Sequence, residues 1–231
     1  MSNEYELVAL LPIKANSERV PGKNFKNFGG KPLFMWILEK LLAVNEIEAI
    51  IINTDAENLL KVNGLPDSNK IILRNRKKEI CGDDISMNLV LQDDLKNINS
   101  KYFLMTHTTN PFLNKETILQ ALSTFKQAIK TGSHDSLFTV NKIQERFYDK
   151  DLVPINHDPL NLIKTQDIPE WYSENSNLYL FTKESFLKNN SRIGTYPKML
   201  STSKLESLDI DTPEDWELAE AVLEYFKNRD I

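Results

Sequence analysis

Two stretches of this chain gather side chains suited to chemistry on phosphates. The first runs Leu11-Pro12-Ile13-Lys14-Ala15-Asn16-Ser17-Glu18-Arg19-Val20-Pro21-Gly22-Lys23-Asn24-Phe25-Lys26-Asn27-Phe28-Gly29-Gly30-Lys31-Pro32-Leu33, with three of the seven glycines and five basic residues. Backbone N–H groups and cations in such a loop can surround phosphate oxygens. Neither the P-loop spacing nor Gly-x-Gly-x-x-Gly is present, so neither of those nucleotide fingerprints applies. A solvated, lysine-rich surface loop is the competing reading. The second stretch is Leu208-Asp209-Ile210-Asp211-Thr212-Pro213-Glu214-Asp215. If residues 208–211 end a strand, alternation sends Asp209 and Asp211 to one face. Two carboxylates so close repel unless a cation lies between them, and Mg²⁺ favours hard oxygen ligands shared with phosphates. Alternatively Asp211 only supports the start of a helix, although Thr212 as N-cap with Asp215 three residues on already forms a capping box.

These residues need a frame to position them. Residues 7–11, 49–52, 71–73 and 102–105 are short apolar runs without polar alternation, as expected of strands buried on both faces. Residues 32–44 and 115–130 have the length and spacing of helices. Strand, helix and strand in succession imply right-handed crossovers and an α/β fold, a mostly parallel central sheet with helices on both faces. Ligands of such sheets sit beyond the carboxyl ends of the strands, here the loops after Leu11, Ile52, Leu73 and Met105. From about residue 141 to 176 the pattern gives way to Arg146-Phe147-Tyr148, Pro154, Pro159, Pro169 and Trp171-Tyr172, with neither period. That segment reads as an insertion with an exposed aromatic surface suited to a subunit contact. The parallel pattern is expected to resume at residues 178–181. A helix over residues 213–228, with Pro213 at its first position, closes a single domain of residues 1–231.

Composition narrows the function classes. The 231 residues carry 28 Lys and Arg against 33 Asp and Glu, a formal charge of −5, which argues against coating nucleic acid or an anionic membrane. The average hides two opposed patches: residues 14–31 hold five basic and one acidic residue, while residues 204–231 hold nine acidic and three basic. Cys81 is the single cysteine, so neither an intramolecular disulfide nor a multi-cysteine metal site is expected. An acidic, polar start and the lack of any apolar run near 20 residues make the cytoplasm the default location.

Pro12, Lys14, Ser17, Pro21, Lys23 and Asn24, followed by Gly30-Lys31-Pro32-Leu33, resemble the signature loop of the acylneuraminate cytidylyltransferase family, which activates sialic acids as CMP derivatives. The resemblance implies a nucleotide-diphospho-sugar transferase-like, Rossmann-like fold and a loop that wraps the triphosphate of CTP. Ser17, Lys23 and Asn24 would then bind the nucleotide, Lys23 carrying the charge that develops on the α-phosphate and departing pyrophosphate. Lys14 stands where the family has arginine, keeping charge but losing the planar two-point grip. Arg76, Glu79, Asp83 and Ser86 resemble the stretch that holds cytosine and ribose, with Arg76 and Ser86 as nucleotide contacts. For Asp83 and Ser86, capping the following helix is the equal alternative. The run Asp209 to Asp215 matches the family's metal-binding run, so the resemblance implies Mg²⁺ on Asp209 and Asp211, with Asp211 also catalytic.

The acceptor side resembles the family less. His107 stands at its glutamine, Leu113 at an arginine, Thr165 before Gln166 at a second arginine, and Tyr179 at its tyrosine. His107, Lys142, Gln166 and Tyr179 are the implied acceptor contacts, with Lys142, Lys164 or His107 as candidates to replace the lost arginine charge. The implied activity is transfer of CMP from CTP to a sialic acid-like nonulosonic acid, with release of pyrophosphate, by a homodimer. The rival readings are a cytidylyltransferase for another acidic acceptor, such as a 3-deoxy-octulosonate, pseudaminic or legionaminic acid or a phosphonate, and a nucleotide-binding protein without catalysis.

Overall fold

The computed structural model describes residues 4–228. Its elements in chain order are β1 (Tyr5–Leu10), the two-residue ribbon β2 (Asn27–Phe28) and β3 (Lys31–Pro32), α1 (Leu33–Leu42), β4 (Ala49–Thr54), α2 (Glu57–Val62), β5 (Ile71–Asn75), α3 (Met87–Asn97), β6 (Ser100–Met105), α4 (Lys115–Thr131), β7 (Ser136–Ile143), β8 (Trp171–Phe181), α5 (Lys183–Asn189), β9 (Pro197–Ser201) and α6 (Pro213–Lys227). Seven strands form one sheet in the order β5-β4-β1-β6-β8-β7-β9. All neighbours are parallel except β8, which runs antiparallel to both β6 and β7.

Period-two alternation explains why the central strands read as continuous apolar runs. In β1, Leu7 and Ala9 face one core and Val8 and Leu10 the other; Tyr102 and Leu104 alternate with Phe103 and Met105 in β6 in the same way. The first core is closed by α1 and α4 through Phe34, Leu38, Ala121 and Phe125, the second by α3 and α5 through Leu91, Leu95 and Phe186. Each fully buried Leu, Ile or Phe contributes about 1.5–3 kcal/mol, so a sheet covered on both faces needs apolar residues at both parities. A third cluster packs α6 against the ribbon through Phe28, Leu33, Ile210 and Trp216. Gly29 is required there: φ is 62° and an added Cβ would lie 2.2 Å from Leu223 Cδ2.

Two expectations are corrected. Residues 178–181 belong to β8 and run antiparallel, because β7 and β8 are joined as a hairpin and a hairpin reverses direction. Residues 208–211 are not a strand; the segment is tied by the bond from Ile210 N to Thr109 O at 2.9 Å. Beyond the sheet, β7 and β8 continue as a two-stranded arm out to the pair Ile143 and Trp171, and residues 144–170 wander outside it with little burial. No helix among the described residues is long and apolar enough to cross a membrane.

Candidate active site

The loop after β1 bends into the sheet's carboxyl edge at a left-handed glycine. Gly22 has φ of 64° and precedes a 3₁₀ turn, Lys23–Phe25, whose first two residues are buried. Lys23 Nζ donates to Ile210 O at 2.5 Å and to Asp211 Oδ1 at 2.9 Å. Asn24 acts as a staple: its Nδ2 donates to Lys14 O at 2.8 Å, and its Oδ1 accepts from Thr108 Oγ1 at 2.6 Å. The loop is thereby fastened to the exit of β6 and to the Asp211 segment. Both amide ends of Asn24 are thus hydrogen-bonded to protein, although the residue also lines the cavity at this edge of the sheet.

A cavity of about 410 Å³ opens here, within the usual size of small-molecule sites, roughly 300–1,000 Å³. Lys14, Ser17 and Lys23 line it from the first loop, Arg76 from beyond β5, His107 from beyond β6, and Asp209 and Asp211 from the segment before α6. Of the five cations counted in the first loop, only Lys14, Arg19 and Lys23 face it. Lys26 instead lies 4.1 Å over the Trp216 ring, and Lys31 lies over Trp36 while pairing with Glu39. Lys14 pairs with Asp83, joining the loops after β1 and β5.

Asp209 and Asp211 share the cavity although their segment is not a strand. Ile210 is buried in the α6 cluster while its two neighbours line the cavity. Asp211 is held by Lys23 at 2.9 Å and by Arg19 at 2.9 Å. Burial pushes the Asp211 carboxyl up, but the Lys23 hydrogen bond and the two cations outweigh it and hold it below the usual range. Asp209 is shifted the other way, up, by burial and by the charge of Asp211, against the opposing hydrogen bond with Thr109. Its Oδ1 is buried with no hydrogen-bond partner among the described residues. A buried anionic oxygen without a partner fits a divalent cation, and two carboxylates with phosphate oxygens form a suitable hard donor set. Among the described residues no group of three or more His, Cys, Asp or Glu could hold a metal alone.

The remaining expected residues separate. Ser86 is the N-cap of α3, its side chain accepting from Asn88 N at 3.3 Å, and it does not line the cavity. His107 reaches the cavity; burial, then Arg192 and Lys23, push its imidazole down to about 3, so it is neutral at physiological pH. Lys142 is exposed on the arm and pairs with Glu170, while Gln166 is exposed in the outer segment, where its carbonyl accepts from Gln144 Nε2 at 3.1 Å. Neither touches the cavity of this chain. Tyr179 is wholly buried, so it supports the wall instead of facing the cavity: its hydroxyl donates to Glu174 and lies 3.1 Å from Ser176 Oγ. Burial pushes that hydroxyl up to about 12.

Arg192 is the residue that sequence reasoning missed. Its guanidinium lies 3.9 Å over the Tyr179 ring, donates to the Tyr179 hydroxyl at 2.9 Å and stands 3.6 Å from Glu174. After burial, its charge does most to push the His107 imidazole down. A lone arginine in the loop after α5 carries no motif, so only tertiary placement reveals it. Meanwhile Leu113, at a family arginine position, is fully buried core, and Thr165, at the other, is exposed in the outer segment.

The sequence pattern of the family described as Cytidylyltransferase matches residues 8–230. The chain is 27% identical over 231 residues to a CMP-N,N'-diacetyllegionaminic acid synthase of Legionella pneumophila, covering 94% of this chain and 96% of that protein. It is 24% identical to a pseudaminic acid cytidylyltransferase of Campylobacter jejuni, covering 92% and 94%. In fold it is similar to a CMP:2-keto-3-deoxy-manno-octonic acid synthetase solved with CTP, with a TM-score of 0.66 at 14% identity over 95% of this chain and 99% of that one. With the match running through the loop of Lys23 and the segment of Asp209 and Asp211, the chain belongs to the cytidylyltransferase family.

Proposed function

We propose that this enzyme transfers CMP from CTP to an acidic nonulosonic sugar of the legionaminic or pseudaminic kind, releasing pyrophosphate. The observation that carries the reading is the buried Lys23 held against Asp211 in one cavity with Asp209. In the reaction an acceptor hydroxyl attacks the α-phosphorus, a bond from that oxygen to phosphorus forms, and the bond to the pyrophosphate oxygen breaks. Lys23 is a fixed cation for the charge that moves onto the leaving pyrophosphate. Lys14, Arg19 and Arg76 add positive charge around the nucleotide, and Ser17 supplies a neutral donor. Asp209 and Asp211 would hold a divalent ion, Mg²⁺ in this reading, which neutralises phosphate charge when bound. A histidine held near 3 is a poor base, so His107 serves the acceptor by hydrogen bonding, not by taking its proton.

The acceptor assignment is supported by two relatives that match over nearly their whole length and act on legionaminic and pseudaminic acids by name. The loss of both sialic-type arginines at Leu113 and Thr165, with the Arg192 charge acting on His107, supports a carboxylate recognised through a different cation. A homodimer belongs to the same proposal. Leu152, Leu160 and Leu162 of the outer segment are 81%, 95% and 67% exposed, an apolar display suited to a second copy. The deciding experiment is pyrophosphate release with CTP and Mg²⁺ across nonulosonic acids, N-acetylneuraminate and 3-deoxy-octulosonate. Fastest turnover with a legionaminic or pseudaminic acid is expected; fastest turnover with N-acetylneuraminate overturns the acceptor assignment.

A further inference from the structure

The inner face of α3 carries an anomaly. Val90, Leu91 and Leu95 pack on the sheet, yet Asp93 and Asp94 are buried beside them. Withdrawing a carboxylate from water is costly unless its partners replace the lost hydration. Asp93 is well supplied, with Arg74 at 2.7 Å and Lys77 at 2.5 Å. Asp94 is not: Oδ1 has Arg74 Nε at 3.3 Å and the Asn53 amide at 2.8 Å, while Oδ2 is buried with no partner among the described residues.

What Asp94 does secure is the orientation of Asn53, itself fully buried on β4. With Nδ2 given to Asp94, the amide must turn its Oδ1 the other way, where it accepts from Arg76 Nε at 3.0 Å. The Asn53 carbonyl accepts from Arg76 Nη2 at 2.8 Å. A flipped amide would point N–H groups at the guanidinium. Arg76 is thus gripped twice by one residue, at the wall of the cavity.

We propose that Asp94 is a positioning residue for nucleotide binding, which through Asn53 fixes the guanidinium of Arg76 against the bound CTP. The inference rests on reading this cavity as the CTP site and Arg76 as a contact within it. An ionised Asp94 can only accept and so enforces this orientation, whereas a protonated carboxyl can also donate and so tolerates the flipped amide. The groups facing it are Arg74 and Arg76 from β5 and its end, Asn53 from β4 and Asp93 from its own helix; burial dominates and lifts Asp94 to about 6. Its ordinary value is 3.8. The fold therefore disfavours the ionised form, and stability is lost as pH rises from that value through about 6. A group kept only for stability would show the opposite sign.

The test is the Kd for CTP with MgCl₂ and no acceptor, measured by calorimetry from pH 5 to 8 on the wild type and Asp94→Asn. The ratio of the two values cancels the nucleotide's own titration. We expect the variant to bind about tenfold more weakly at pH 8, the ratio falling toward one at pH 5, with a Tm at pH 8 no lower than wild type. A ratio of one at pH 8, or one that does not move with pH, overturns the proposal. Should Asp94→Asn not fold, Arg76→Lys leaves the core intact and serves instead: its ratio to wild type falls toward one at pH 5, and a constant ratio overturns the proposal. A wild type that does not bind CTP overturns both the site reading and this inference, whereas binding with unchanged ratios overturns the inference alone.

Discussion

The loop after β1 and the outer segment of residues 144–170 are both long excursions from the sheet, yet they are held in opposite ways. The first is anchored by buried polar contacts: Lys23 to Ile210 and Asp211, Asn24 to Lys14 and Thr108, with Ile210 and Phe28 in the α6 core. The second is held by contacts within itself and with the arm, such as the Phe147 ring stacked at 5.2 Å on Trp171 of β8 and the Arg146 bond to Ile163 O at 2.5 Å, and it leaves leucines in water. A phosphate site profits from the first arrangement, because fixed charges aimed at a developing charge need no reorganisation. The second arrangement is a surface whose apolar residues lack cover within one chain.

Three measurements would break or sharpen that contrast. Replacing the most firmly held group has the largest expected effect: Lys23→Ala should lower kcat by roughly 10²–10³-fold, as for loss of one pre-aimed charge donor, in a pyrophosphate-release assay at saturating CTP. An unchanged kcat would remove Lys23 from the chemistry. On the acceptor side, Arg192→Gln is expected to raise the KM for the acid about tenfold while leaving the KM for CTP unchanged, consistent with one lost charge-assisted hydrogen bond. Equal changes in both constants would assign Arg192 to the fold alone. Smallest in its effect on chemistry is the double change Leu160→Ser with Leu162→Ser, which should weaken self-association by light scattering and leave the Kd for CTP as it was. A monomeric wild type would sever the outer segment from the dimer proposal.

The two regions also differ in how legible they were. The carboxylate pair, the Thr212–Asp215 capping box and the buried strands depend on spacing within a few residues, and each stands where spacing places it. Ser86 had two local readings of equal weight, and the hydrogen bond to Asn88 N shows the capping one. For Tyr179 the motif marked an important position but gave the wrong contact, because which parity of β8 faces the second core depends on its antiparallel pairing with β6. Residues 208–211 show that two aspartates two positions apart can face one cavity without a sheet partner.

Period and motif therefore determined the α/β class, the loops at the carboxyl edge, the lysine and aspartates that line one cavity, and family membership. All of these are written in residues close together in the chain. Tertiary structure alone decided which of the five loop cations face the cavity, that Lys142 and Gln166 lie away from it, and that Arg192 lies over the Tyr179 ring. It also decided that Asp94, 41 residues from Asn53, accepts from the amide whose oxygen meets Arg76. The physical reason is that a hydrogen bond or an ion pair acts over about 3 Å in space whatever the separation along the chain, and only the packed sheet converts one distance into the other.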